Sequence, residues 1–182
     1  KSDKISWYKG EALLPYLEKV DVTEKKQEEG FYMPVQRVCR PDHTFRGFQG
    51  QIESGEVKVG DEIVTLPSNE RAHIKSILVG DKASHSAFMG QPVTLQLDKE
   101  VDVSRGCVIA SGNNLPISKS FTATILWMDD EELTPGTDYL VKLGTKQIPG
   151  ILKNIQYKID VNTGEFIPAG QLKKNEIAVC DL

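Results

Sequence analysis

The sequence is short of the residues from which active-site chemistry is usually assembled. It has three cysteines and three histidines in 182 residues. Cys39, Cys107 and Cys180 are an odd number with wide spacing, which argues against a disulfide framework or a zinc site and for reduced, partly buried thiols. His43, His73 and His85 stand apart, without a partner at the spacing of metal ligands or of a catalytic triad. No Gly-Lys dipeptide occurs, so the phosphate-cradling loop G-x-x-x-x-G-K-[ST] cannot exist. No apolar run approaches the ~20 residues of a membrane span, and there is no signal-peptide core. Basic residues never cluster beyond the pairs Lys25-Lys26 and Lys173-Lys174, and the net charge is −4. Neither a membrane nor a nucleic acid is therefore expected as a main partner, since binding of the latter rests on neutralising phosphates. No catalytic, cofactor-binding or metal-ligating residue is expected in this chain, and a cytoplasmic location is.

What is present is an ordinary globular composition, 39% hydrophobic and 26% charged, arranged in short alternating runs. Residues 34–67 read as the opening of a small β-barrel. Phe48, Gly50 and Ile52 alternate with Gln49, Gln51 and Glu53, the period of a half-buried strand. Ser54-Gly55 supplies a turn, Val57 and Val59 lead to a second turn at Gly60-Asp61, and residues 62–66 form a further strand closed by Pro67. The first strand, residues 34–40, breaks its alternation between Val35 and Val38, as a bulge would. Beyond it, a hairpin tip at Asn69-Glu70, a return over residues 71–79, a turn at 80–82 and one alternating strand through Ala87, Gly90, Val93, Leu95 and Leu97 complete the pattern. Short strands at this spacing with glycine-rich turns indicate a closed antiparallel barrel.

The run Ile52-Glu53-Ser54-Gly55-x-Val57-Lys58-x-Gly60-Asp61 resembles the second domain of the elongation factor Tu class of translational GTPases. The preceding insert, Arg40-Pro41-Asp42-x-x-Phe45-Arg46-Gly47-Phe48-x-Gly50, is similar to the GTPase (large) subunit of the bacterial two-subunit sulfate adenylyltransferase. Asp102-x-x-Arg105-Gly106 resembles that family's D-x-S-R-G-D stretch, with Cys107 where the pattern often has Asp. The resemblance extends to both ends. Trp7-Tyr8-x-Gly10 followed by Leu13, Leu14 and Leu17 resembles the last helix of the family's GTP-binding domain. Pro15 is tolerated there because it falls in the first turn. Residues 121–123, Phe-Thr-Ala, resemble the start of its third domain.

The expected architecture is all-β: two antiparallel β-barrels of the translation-factor type, the second incomplete, with a short N-terminal helix. Residues 1–30 would be the C-terminal helix of a missing GTP-binding domain plus a polar linker. Residues 34–113 would form the domain-two-like barrel, and residues 118–182 a truncated domain-three-like barrel with about four of six strands. In the latter, Phe121, Ala123, Ile125 and Trp127 alternate with Thr122, Thr124, Leu126 and Met128. Strands follow at residues 138–143, 155–161 and 176–182. The leucines of the first helix are expected to be covered by a barrel or by a neighbouring molecule.

The resemblance implies a function that the residues alone do not. The intact assembly would join ATP and sulfate into adenosine 5′-phosphosulfate and pyrophosphate on a small catalytic subunit, while the large subunit hydrolyses GTP to drive it. GTP and magnesium would belong to the missing domain, because D-x-x-G and N-K-x-D are absent here along with the phosphate loop. The S-G-G-x-D-S loop of the small subunit is absent as well. This chain would then be a non-catalytic coupling module whose partners are its own GTP-binding domain and the small subunit. Two alternatives are a translation elongation factor fragment gripping aminoacyl-tRNA, and part of a bifunctional large subunit fused to adenylylsulfate kinase. For the 40–48 insert two readings stand. It is either a loop packed on the barrel mouth by Phe45 and Phe48, or a partner-facing anchor made of Arg40, Arg46 and Phe48, residue types that dominate interfaces. Asp42 and Arg46 could form a local ion pair. Residues 129–132, all acidic, read as a solvated loop, and residues 146–150 as a loop contact.

Overall fold

A computed structural model describes residues 4, 6–20, 30–111 and 115–182. The polar linker expected at 24–30 lies outside them except for Gly30, and so do residues 112–114 of the second linker. The helix α1, Leu13–Lys19, is capped by Ala12 and Val20, with Pro15 in its first turn. None of its residues is buried. Leu13, Leu14 and Leu17 are 72%, 67% and 56% exposed, which corrects the expectation that a barrel of this chain covers them.

The first barrel is built from β1 (Phe31–Pro34), β2 (Arg37–Cys39), β3 (Gly47–Gln51), β4 (Glu56–Lys58), β5 (Glu62–Leu66), β6 (Glu70–Val79), β7 (Lys82–Ser84), β8 (Ser86–Phe88), β9 (Pro92–Leu97) and β10 (Val108–Ser111). Its main sheet runs β1-β10-β5-β6-β9-β3-β2, with antiparallel pairing throughout. The two ends of that order are one stretch of chain broken at Val35-Gln36. On one side of the break Val35 N–H donates to the Cys107 carbonyl at 2.9 Å, and on the other Gln36 N–H donates to Gln49 at 2.8 Å. The sheet thus closes on itself, which leaves no unpaired edge at the seam. The interrupted alternation at Val35–Val38 marks this kink.

Gly50 is required at the seam because a Cβ there would lie 2.4 Å from the Pro34 carbonyl oxygen. Gly55, at φ +71, turns the chain in a conformation that costs a glycine little. Phe31, Phe48, Ile52, Ile74, Leu95 and Ile109 fill the interior, all 1% exposed or less. The single strand expected through 87–97 is two strands, β8 and β9. Gly90 takes φ +86, and a turn forms as Gln91 N–H reaches the Phe88 carbonyl at 3.1 Å.

The second unit holds β11 (Thr122–Leu126), β12 (Asp138–Leu143), β13 (Lys146–Ile151), β14 (Asn154–Ile159), β15 (Phe166–Ile167) and β16 (Ile177–Asp181). These are six strands, which corrects the expectation of about four. A four-stranded sheet runs β11-β16-β14-β15, and β12 and β13 form a separate hairpin. Residues 146–150 are therefore not a loop: they are most of β13, with Pro149 opposite Leu140. Proline is tolerated there because β13 pairs on one side only, so its missing N–H interrupts no ladder on the other. A small core of Leu133, Leu152, Ile155, Leu172, Ala178 and Cys180 lies beneath.

Candidate interaction surface

The insert at 40–48 folds back on the barrel. Asp42 organises its tip, its Oδ1 accepting from the Thr44 hydroxyl at 2.6 Å, Thr44 N–H at 2.7 Å and Phe45 N–H at 3.1 Å. The Thr44 hydroxyl, aided by these backbone donors, holds the Asp42 carboxyl below the usual carboxylate range. Asp42 is thus occupied by the loop's own donors, while Arg46 pairs with Glu100. Arg46 Nη1 donates to Glu100 Oε2 at 2.6 Å and to the Val101 carbonyl at 2.8 Å, and Nη2 donates to the Val103 carbonyl at 3.0 Å. Its guanidinium lies 5.0 Å from the centre of the Phe48 ring, within reach of a cation–π attraction.

The three residues of the proposed anchor therefore part company. Phe48 is 1% exposed, so its ring packs the barrel and has no face to offer a partner. The Arg46 side chain is 20% exposed, and the network above holds it against residues 100–103. Arg40 is outward, 55% exposed, and donates to the same Glu100 oxygen at 2.7 Å. Glu100 clamps both arginines from more than fifty residues away, and the local sequence does not announce it. His43 and His85 are exposed. His73 is paired with Asp98, Nδ1 to Oδ2 at 3.1 Å, and Asp98 also accepts the His73 N–H at 2.8 Å.

A second feature is apolar. Phe121, Ile125 and Trp127, one row of β11 and its flanks, face Tyr139, Leu140 and Leu152 across a cleft of about 340 Å³. Trp127 meets Tyr139 edge to face at 5.6 Å, and its Nε1 donates to the Glu131 carbonyl at 2.6 Å. The acidic run at 129–132 is tied into this wall, as Asp130 pairs with Lys174 and Glu132 accepts from Gln171. Among the described residues, no group of three or more His, Cys, Asp or Glu is placed to hold a metal ion. No helix among them is long and apolar enough to cross a membrane.

Comparison with known proteins completes the picture. A family profile described as GTP-eEF1A C-terminal domain-like matches residues 120–182. A relative from Saccharophagus degradans, "Sulfate adenylyltransferase subunit 1", is 42% identical over 183 residues, covering 100% of this chain and 39% of the relative. The protein of the same name from Cellvibrio japonicus gives the same identity and coverage. A Xylella fastidiosa "Bifunctional enzyme CysN/CysC" is 40% identical over 100% of this chain and 29% of the relative. Among solved structures, sup35 complexed with GMPPNP superposes with a TM-score of 0.75 at 24% identity, over 96% of this chain and 44% of that one. The elongation factor SelB from Methanococcus maripaludis gives 0.64 at 22% identity, over 92% and 37%. This chain thus spans about two-fifths of the length of the curated relatives named subunit 1.

Proposed function

We propose, for a chain that belongs to the sulfate adenylyltransferase subunit 1 family and matches its elongation-factor-like barrel region, a non-catalytic role in coupling GTP hydrolysis to sulfate activation. The reading rests on one observation above all: 42% identity to subunit 1 sequences along the entire chain. In this scheme a GTP-binding domain outside the chain holds GTP and magnesium. A small catalytic subunit forms adenosine 5′-phosphosulfate from ATP and sulfate. The barrels carry the nucleotide state from one to the other as bodies that move without unfolding. Such coupling needs the two states to differ in their contacts with the small subunit, since equal contacts would shift nothing. In this reading the chain contributes coupling and leaves the chemistry to its partners, and its place would be the cytoplasm.

The exposed Arg40, held in place by Glu100, is the member of the Arg40, Arg46 and Phe48 set that faces outward, toward a partner. A tRNA-gripping role is disfavoured by the net charge of −4, since phosphate neutralisation dominates such binding. The test is a chimera in which this chain replaces the matching segment of a subunit 1, assayed with its small subunit. Adenosine 5′-phosphosulfate formation that still requires GTP is the expected result. A folded chimera that hydrolyses GTP without driving sulfate activation would refute the reading.

A further inference from the structure

The β12–β13 hairpin touches the first barrel with three consecutive residues of its tip. The Thr145 hydroxyl donates to the Val35 carbonyl at 2.8 Å, across 110 residues of sequence. That carbonyl belongs to the kink where the barrel's seam strand leaves its ladder, and it also accepts the Gly106 N–H at 3.0 Å. Gly144 lies over the Pro34 ring, whose nearest atom is 3.6 Å from where a Cβ on the glycine would sit. Lys146 lays the root of its side chain across Gly106, with its Cβ 3.3 Å from the corresponding point there. The niche is small and made mainly of backbone, and Val35 at its floor is fully buried.

We propose that the tip of this hairpin, through the Thr145 hydroxyl, is the element that fixes the orientation of the second unit on the first barrel. Three physical points carry this. A carbonyl oxygen has two lone pairs, and at Val35 the second is taken by Thr145 and not by a neighbouring strand. The hydrogen bond prescribes direction as well as distance, which the flanking van der Waals contacts of Gly144 and Lys146 do not. The niche admits the tip because position 106 carries no side chain, so the Lys146 stem can close over it. The hairpin forms a sheet of its own, separate from the four-stranded one, and so it serves as a strut between the two cores. This assignment concerns geometry within the chain and stands apart from the coupling role proposed above.

The experiment is ¹⁵N relaxation on the 182-residue chain, comparing amides of β3 and β9 with those of β14 and β16. In the parent protein the two sets are expected to share one rotational correlation time. Thr145→Val keeps the shape of the side chain and removes the donor. It is expected to split that shared value into two shorter ones, while amide shifts inside each sheet stay unchanged. Thr145→Ser, which keeps the hydroxyl, restores the shared value, and Thr145→Ala behaves as the valine variant does. A valine variant that still tumbles as one body would overturn the proposal. So would a serine variant that uncouples as fully as valine.

Discussion

Replacing Phe48 by alanine separates the two readings of the 40–48 insert. The ring is 1% exposed, inside a barrel whose wall it shares with Leu95, its partner across β3 and β9. Truncating a buried phenylalanine to alanine costs about 3–5 kcal/mol, from lost burial and the cavity left behind. Losing the platform under the Arg46 guanidinium, 5.0 Å away, adds about 0.5–1 kcal/mol. A unit of this size loses roughly 4–8 °C in midpoint per kcal/mol, so the shift is large. Arg40→Ala removes a pair whose side chains are 55% and 71% exposed, and exposed pairs contribute only about 0–1 kcal/mol. Amide exchange in β3 and β9 against that in β14 and β16 localises the loss to the first barrel. Phe48→Ala should accelerate exchange in the former pair while Arg40→Ala leaves both unchanged. A Phe48→Ala loss below about 1 kcal/mol would show that the ring does not hold the barrel, and the argument that it is closed to partners would fall with it.

Gly50→Ala should destabilise the seam by about 1–3 kcal/mol, the usual cost of overpacking, because its Cβ meets the Pro34 carbonyl at 2.4 Å; chemical denaturation reads this. Lys158, 2.7 Å from Glu176, holds that carboxyl below its ordinary value of 4.5, with the Lys173 N–H assisting. A depressed carboxylate stabilises the fold above its ordinary pKa, and that contribution fades as pH falls through the folded value. Unfolding of the second unit followed from pH 7 downwards should therefore steepen in the acid range below about 4.5, and Glu176→Gln should flatten it. Calorimetry with GTP should show no binding tighter than ~100 µM, about 5.5 kcal/mol, because the phosphate loop is missing. A hydrophobic dye should light up in the cleft beside Trp127, and Leu140→Lys, at a position 66% exposed, should dim it without unfolding the chain.

How far the sequence could be read depended on the range of the interaction concerned. Period-two alternation located β3 and β14 because each strand has one face toward a core. The row Phe121, Ala123, Ile125 and Trp127 was visible for the same reason and does line the cleft. The broken alternation at Val35–Val38 reads as a bulge in one strand, but the chain there leaves β1 and starts β2 at the seam, a closure that depends on distant partners. β13 was hidden because Pro149 and Gly150 carry the marks of a loop, and only its one-sided pairing with β12 makes them acceptable in a strand. The split between β8 and β9 was hidden because Ala87 and Val93 are both buried, so the apolar spacing passes through the turn without a sign. Glu100 holds Arg40 and Arg46 from 60 and 54 residues away, and Thr145 reaches Val35 across 110. Contacts of that range depend on where the barrels place the chain, which spacing along the sequence does not encode.

The residues that carry the family resemblance turn out to serve the fold. Ile52 and Val57 are fully buried, and Gly55 and Gly60 take φ values of +71 and +95. Asp61 Oδ2 accepts the Lys58 N–H at 2.8 Å and so ties its own turn. Each position is constrained by a core contact or a turn, which is why the pattern marks a barrel type and says nothing by itself about a reaction. The insert that narrows the resemblance follows the same logic one level up. Asp42 spends its lone pairs on Thr44 and Phe45, and Arg46 spends its donors on Glu100, Val101 and Val103. Arg40 is left facing outward at a place set by the others. If a partner subunit reads this surface, it meets a loop already ordered by internal bonds and therefore needs to supply little ordering entropy. Specificity then resides in the shape that Asp42 and Glu100 impose, with Arg40 as its charged tip. An alteration at Glu100 should accordingly disturb recognition more than one at Arg40, because it removes an acceptor that two arginines share: Arg40 loses its partner, and Arg46 is left on the Val101 and Val103 carbonyls alone.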